Sequence, residues 1–350
     1  MTVDRKRLSA APRTDHGNAL RFTAHADGAL CWTSAHGWMR WEGTRWRPSE
    51  SEDAALQLGR RVAVGVVDEA AYLPTVPAPG AQKSPAELHL DWAEKSQDAR
   101  RIGNMVKLGR GSVGVLASSD GWDSQAGLIN TPEGMLMLAD GAVEKHKPSM
   151  RVVKVTRAAP MSAAEYAAAW EGSTWARFLD WAMCGDASLA EYLQTAVGAS
   201  LCGDQSCQNV FFCYGGGGNG KGVFERALRF ALGPYVHALP RRFLEQSRGP
   251  TPSSDEYNLA NLQGARMAVG SEVSKGAQWD EEKIKSLSGG DAVSARHPYG
   301  RPFSFAPSWV LWVLGNDKPR VESTDNGIWR RLRLIPWLAS TETTPPEQQI

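Results

Sequence analysis

Two hydrophobic textures divide the chain, and the change falls near residue 208. Beyond it, apolar residues gather into short unbroken runs separated by stretches of helical spacing. "NVFFCY" (209–214), "ARMAVG" (265–270) and "SWVLWVLG" (308–315) are such runs, and "RLRLIPW" (331–337) alternates like a last strand. Strands that are apolar on both faces belong in a parallel sheet covered by helices. "GVFERALRFAL" (222–232) has the spacing of one such covering helix.

Before residue 208 the pattern is mixed. Residues 1–20 read as a loose arm. Residues 28–48 hold Trp32, Trp38, Trp41 and Trp46, with Glu42–Arg45 as the turn of a hairpin. The four indoles suit the core of a small domain, and stacking on bases is the other use for them. Residues 51–70 and 86–108 have helical spacing, and "AYLPTVPAPGAQKSP" (71–85) is a connector rich in proline and small residues. Residues 121–148 predict short strands and turns. From Ser162 onward, "SAAEYAAAWEG", "TWARFLDWAMCG" and "SLAEYLQTAVGASLCG" predict three helices with small or polar punctuation.

Composition narrows the picture. At 350 residues, 42% hydrophobic and 22% charged, the chain can bury a substantial core. A net charge of +1 confines any nucleic-acid surface to a local patch. Cys31, Cys184, Cys202, Cys207 and Cys213 form no CxxC pair, which suits reduced thiols and a cytoplasmic protein. No signal-peptide core opens the chain, and "WVLWVLG" is too short to span a bilayer, so no membrane partner is expected.

The chemistry concentrates at one loop. Gly215, Gly216, Gly217, Gly218, Asn219, Gly220 and Lys221 form G-x-x-x-x-G-K between a strand and a helix that opens with Gly222 and Val223. Glycines let backbone N–H groups turn toward phosphate oxygens, a Lys reaches the outer phosphates, and the helix points its N-terminus at them. The alternative is a flexible glycine turn. Gly222 stands where a Ser or Thr would bind Mg²⁺, a position that water can fill. "ARMAVGSE" ends its strand in Ser271–Glu272, where a carboxylate can serve Mg²⁺ or polarise water, and Ser271 can supply the missing hydroxyl. "SWVLWVLGND" ends in Asn316, suited to orienting that water or to forming a turn. "GIWRRLRLIP" places Arg330 and Arg331 at the mouth of the last strand, for transition-state charge or for a surface ion pair. In "AVSARHPYGRPFSF", Arg296, His297, Tyr299 and Arg301 lie at a hairpin turn, where they can touch phosphates and a base or only pack on the sheet.

Taken in this order, these motifs resemble the superfamily 3 helicases, a branch of the AAA+ ATPases, and most closely the phage and plasmid primase–helicase family, related to the poxvirus primase–helicase. The likeness runs from about Trp122 to Trp337, through "GWDSQAGLINTPEG", "LANLQGARMAVGSE", "IKSLSGGDAVSARHPYGRPFSFAP", "LGNDKP" and "GIWRRLRLIPW". It implies an α/β AAA+ type P-loop ATPase with a central parallel sheet and helical lead-in over 161–350. A mixed α+β region at 51–160 and a Trp-rich β region at 1–50 would precede it. It also implies ATP and Mg²⁺ as cofactors and single-stranded or forked DNA as partner. A homo-oligomer, a hexameric ring, would share each ATP between subunits, and a primase or polymerase would be a further partner in a bacterial host cell.

By position, Lys221 holds phosphates, Glu272 serves metal and water, Asn316 is the sensor, Arg331 is the finger and Arg330 the second choice. The chain departs from the family at Gly222, at Glu133 where Asn is usual, and in lacking a primase signature in residues 1–120 or a zinc-binding cysteine set. It stops soon after the last strand, where relatives of that family commonly carry a further domain. Two other readings remain: a replication-initiation or loader module that binds nucleotide with little turnover, and a small-molecule P-loop kinase.

Overall fold

The structure is a computed structural model that describes residues 3–49, 51–240, 242–246, 253–271, 278–297, 302–317 and 326–342. The chain forms two compact units. One comprises Met1–Asp120 with Lys147–Arg151, the other Gly121–His146 with Val152–Ile350. The boundaries expected at 50 and 160 are not where the packing divides.

The first unit begins with helices α1 (Arg5–Ser9) and α2 (Asp15–Ala26), followed by strands β1 (Leu30–Thr33), β2 (Gly37–Trp41) and β3 (Trp46–Pro48). Helices α3 (Asp53–Gly65), α4 (Pro85–Ser96) and α5 (Ala99–Gly109) complete it. The hairpin turn is at Glu42–Arg45, where Glu42 N donates to the Arg45 carbonyl and Trp41 pairs with Trp46. Phe22 of α2, Trp38 of β2, Leu58 and Val62 of α3, and Ile102, Met105 and Val106 of α5 share one core. Hairpin and helices therefore cannot be separate domains. Trp38 and Trp46 are buried, whereas Trp32 and Trp41 are half-buried.

Residues 3–20, read from the sequence as part of a loose arm, are ordered into two capped helices. Asp4 and Thr14 cap α1 and α2 by accepting hydrogen bonds from Arg7 N and Gly17 N, which satisfies orphan donors of the first turns. Fully buried Arg21 then donates to both Glu69 carboxylate oxygens (2.8–3.0 Å) and to the Leu8 carbonyl (3.2 Å), anchoring the N-terminal segment.

In the second unit, a small antiparallel sheet of β4 (Leu128–Asn130), β5 (Met135–Met137) and β6 (Val143–Glu144) precedes helices α6 (Ala163–Trp170), α7 (Thr174–Ala182) and α8 (Ala187–Leu201). There follow β7 (Val210–Tyr214), α9 (Lys221–Leu232), β8 (Val236–Ala238), α10 (Ser253–Asn261), β9 (Met267–Ser271) and α11 (Glu281–Leu287). Last come β10 (Val293–Ala295), β11 (Phe303–Phe305), β12 (Val310–Gly315), α12 (Asn326–Trp329) and β13 (Leu332–Pro336). Strands β10 and β11 form the predicted hairpin. The main sheet is parallel throughout, in the order β13-β7-β12-β9-β8.

Alternation explains the unbroken apolar runs. Val210, Phe212, Ala268, Leu311 and Val313 face one core with α11, while Phe211, Cys213, Met267, Val269 and Trp312 face another with α7, α8 and α9. Both faces are dry, so every position in the run is apolar.

The "GWDSQAGLINTPEG" stretch belongs to this unit through buried polar bonds. Asp123 accepts from the Val153 and Lys154 amides at 2.8 and 3.2 Å, and burial raises its pKa despite the nearby Lys154 charge. Arg266, directly before β9, donates to the Gln125 and Leu128 carbonyls, and the Tyr235 hydroxyl accepts from Asn130 N at 3.0 Å.

Candidate functional site

The glycine-rich loop lies at the carboxyl end of β7 and leads directly into α9, at the edge of the sheet where open α/β folds bind ligands. Gly216, Gly217 and Gly218 are exposed, and a Cβ added at Gly216 or Gly217 would meet nothing within 4 Å. The surroundings of Gly216 and Gly217 therefore leave their backbone open, whereas a Cβ at Gly218 would stand 2.6 Å from the Thr341 hydroxyl.

The flanking positions are the opposite. Gly215 has φ +152°, and a Cβ there would stand 1.9 Å from the Trp337 carbonyl oxygen. Gly220 has φ +87°, and its Cβ would fall 2.8 Å from the Phe178 ring and 3.1 Å from Trp181. Glycine is thus required at 215 and 220 by packing as well as by backbone conformation.

Lys221 opens α9 and is buried. Its Nζ donates to the carbonyl of Gly215 at 2.6 Å, to that of Gly216 at 3.3 Å and to Asn219 Oδ1 at 3.1 Å. Asn219 is buried too, and its Nδ2 donates to the Trp337 carbonyl at 3.0 Å. The ammonium therefore points into the loop and is fixed from two sides. Beneath it, burial pushes the Cys213 thiol up to about 12, so the thiol stays protonated.

The segment after β13 forms the loop's outer wall. Trp337 N donates to the Tyr214 carbonyl at 2.8 Å, and Thr341 N donates to the Gly218 carbonyl at 2.9 Å. Sequence reasoning missed Trp337 and Thr341 as parts of this site. Trp337 looked like the end of an apolar strand, and Thr341 carries no local signal.

Gly222 and Val223 are exposed on the first turn of α9. A Cβ at Gly222 meets only the far end of Arg226, at 3.4 Å, and its backbone is helical. Gly222→Ser is therefore expected to fold with a melting temperature within about 2 °C of the parent, since Ser also has the better helix propensity. A thermal melt checks this.

Neighbouring strands bring two more predicted residues to the same edge. Gly315 of β12 pairs with Tyr214 and Leu314 with Ser271, so Asn316 and Ser271 end the next two strands. The Asn316 carbonyl accepts from Gly215 N at 3.2 Å, and its side chain is on the exposed surface. Ser271 is exposed two strands from the loop, about 10 Å across at ~4.8 Å per strand. Glu272, the predicted metal and water carboxylate, lies outside the described residues. Among the described residues, no group of three or more His, Cys, Asp or Glu is gathered that could hold a metal ion.

The arginine pair is placed differently. Leu332 pairs with Val210 and Pro336 with Tyr214, so Arg330 and Arg331 sit at the opposite end of the sheet from the loop, about 15 Å along the strand at ~3.3 Å per residue. Arg331 is buried, with its guanidinium bonded to the Gly327 carbonyl. Arg330 is exposed, and its NH2 donates to Gln208 Oε1 at 2.6 Å.

At the β10–β11 hairpin, exposed Arg296 makes a 3.3 Å ion pair with Glu256. His297 stacks on Phe303 with ring centroids 5.3 Å apart, and burial lowers its pKa. The first contact is a surface ion pair and the second is packing within the hairpin. Tyr299 and Arg301 lie outside the described residues.

The site is thus a glycine-rich loop with a buried Lys at the head of a helix, and polar residues end the adjacent parallel strands at the same carboxyl edge of an α/β unit. Comparison with known proteins finds relatives over parts of the chain. Residues 19–184 match the family described as D5 N terminal like, and residues 213–331 match a family of unknown function, DUF5906. The chain is 32% identical over 154 residues to the putative helicase L207/L206 of Acanthamoeba polyphaga mimivirus, covering 44% of this chain and 16% of that protein. It is 26% identical over 141 residues to the putative helicase V13 of Sputnik virophage (39% and 18%), and 30% identical over 151 residues to the putative helicase 022R of Frog virus 3 (42% and 15%). The chain thus spans less than a fifth of the length of each of these viral relatives. Among solved structures, the apo A form of the NrS-1 C-terminal region aligns over 91% of this chain and 61% of its own, with a TM-score of 0.45 and 10% identity. Among the described residues, no helix is long and apolar enough to cross a membrane.

Proposed function

We propose that this chain is the ATP-hydrolysing part of a DNA helicase of the superfamily 3, AAA+ type, acting in the replication of a viral or mobile-element genome. The observation that carries this reading is the orientation of Lys221 into a loop whose central glycines are bare, at the carboxyl edge of a parallel sheet. Sequence similarity to viral proteins named putative helicases supports the same reading.

In this reading ATP lays its phosphates across Gly216–Gly218, and Lys221 exchanges its carbonyl partners for phosphate oxygens. The N–H groups at the start of α9 face the same charge. Ser271 and Glu272 would hold Mg²⁺, with water in the place that Gly222 leaves without a hydroxyl, and the ion would offset phosphate charge. Asn316 orients the attacking water. The finger is supplied by a neighbouring subunit of a ring, because both arginines lie at the far end of the sheet from their own loop. Arg330, which is exposed, is the residue to reach a neighbour; Arg331 supports the turn that carries it. Arg296, exposed beside β10, contacts DNA.

The test is ATP turnover with and without single-stranded DNA. DNA is expected to raise turnover several-fold, with Mg²⁺ required in both cases. Tight ATP binding with negligible turnover in either condition would favour the loader reading, for which Gly222 is the motivating residue. No ATP binding would defeat both.

A further inference from the structure

Helix α6 has no buried residue, although it consists of five alanines, Tyr166, Trp170 and the single charged Glu165. A helix that is apolar on nearly every side is normally covered, and one this short holds poorly on its own. Its Tyr166 and Trp170 rings lie 5.7 Å apart and wall a groove of about 700 Å³ that α7, α8 and α9 complete. Trp175, Leu179, Phe224 and Leu228 add further apolar lining. The mouth is acidic: Asp180, Asp186 and Glu191, all exposed, face it against a single basic residue, Arg177. Asp186 caps α8 by accepting from Leu189 N, whereas Asp180 and Glu191 make no ion pair among the described residues. An occupant that matches this groove is aromatic, with cationic groups beside the ring.

The other side of α9 carries that chemistry. Phe230 is 67% exposed, and the Arg157 guanidinium lies 5.3 Å from its ring centroid. Arg226 and Arg229 are exposed beside it. Arg229 pairs with Glu225 at 3.4 Å, and Arg226 makes no ion pair among the described residues. At about 100° per residue, Arg226, Arg229 and Phe230 point away from Phe224 and Leu228, which line the groove. Groove and patch are therefore separate surfaces of the same unit, one acidic and one basic, each built around aromatic rings.

We propose that the groove of one copy of this chain receives the α9 patch of a second copy, with Phe230 against Tyr166 and Trp170 and the patch arginines meeting Asp180 and Glu191. Because the two surfaces differ, the contact is heterologous, and successive copies build a ring or a filament rather than a two-fold dimer. Exposed Gly222 and Val223 lie on the same side of α9, so the neighbour would sit beside the glycine-rich loop. The contact gives the ring of the functional reading an interface and rests on that reading for ring closure alone.

The experiment is sedimentation velocity of the full chain over a concentration series, with and without ATP and Mg²⁺. The parent is expected to self-associate. Phe230→Ala and Trp170→Ala are each expected to weaken association by about tenfold or more, as aromatic anchors do. Arg226→Glu/Arg229→Glu and Asp180→Lys/Glu191→Lys are each expected to weaken it at least as far. An equimolar mixture of these two double variants is expected to recover assembly, since the reversed patch of one meets the reversed groove of the other. Circular dichroism is expected to match the parent throughout, because the reversed charges are exposed. A parent that stays monomeric in both conditions would overturn the proposal and leave the groove to a different protein. Unchanged association in Phe230→Ala and in the arginine variant, or a mixture without recovery, would overturn it as well. Assembly by a chain that binds no ATP would defeat the functional reading and leave this contact standing.

Discussion

Lys221→Ala is expected to abolish ATP turnover, by a factor on the order of 100 or more, while the protein still folds. The size follows from the chemistry. Removing one preorganised donor aimed at developing charge in a water-poor site costs about 10²–10³ in rate. Here the donor is buried and held by Asn219 and two carbonyls, so its orientation is set before ATP arrives. The structural cost is smaller. Gly216 is exposed and its carbonyl can turn to water, and Gly215 loses one partner for its carbonyl. A cost of about 1–2 kcal/mol follows, a melting temperature lower by a few degrees. Turnover assays with a parallel thermal melt check both numbers. Retained turnover in a folded Lys221→Ala protein would place the active site away from this loop.

Arg330→Ala is the second large effect. ATP binding is expected to stay within about threefold of the parent, while turnover falls on the order of 10³-fold, as for other fingers that act on transition-state charge. The reason for choosing Arg330 is exposure: its guanidinium donates to Gln208 Oε1 at the surface. Arg331→Ala is expected instead to lower the melting temperature, because that side chain is buried against the Gly327 carbonyl. Mixing Arg330→Ala with Lys221→Ala subunits is expected to restore part of the turnover, since a mixed interface pairs an intact loop with an intact arginine. Mixtures shown by mass to have co-assembled, yet without recovery, would return the arginine to a structural role.

The main sheet was readable because its strands are buried on both faces. An unbroken run such as Val210–Cys213 has few other uses in a chain of this composition. The exception is β8, three residues at the sheet edge after a short turn, too brief to show a period. The N-terminal segment was misread for a related reason. Its anchor is Arg21, a charged residue whose partner Glu69 lies 48 positions away, and no local pattern announces such a buried pair. The domain boundaries at 50 and 160 differ from the observed packing because Trp38, Leu58 and Met105 meet only in three dimensions, as do Arg266 and the Gln125 carbonyl.

By itself the sequence determined the alternation of parallel strands and helices, the glycine-rich loop before α9, and the polar residues that end the neighbouring strands. Local spacing and side-chain type suffice for these, since strand periodicity and backbone freedom are short-range properties. Only the tertiary structure decided which glycines are bare and which are crowded, that Trp337 and Thr341 wall the loop, and that Arg330 is exposed while its neighbour Arg331 is buried. These depend on what a distant strand end or turn brings alongside, and adjacent residues on one segment can face opposite surroundings that no local pattern records.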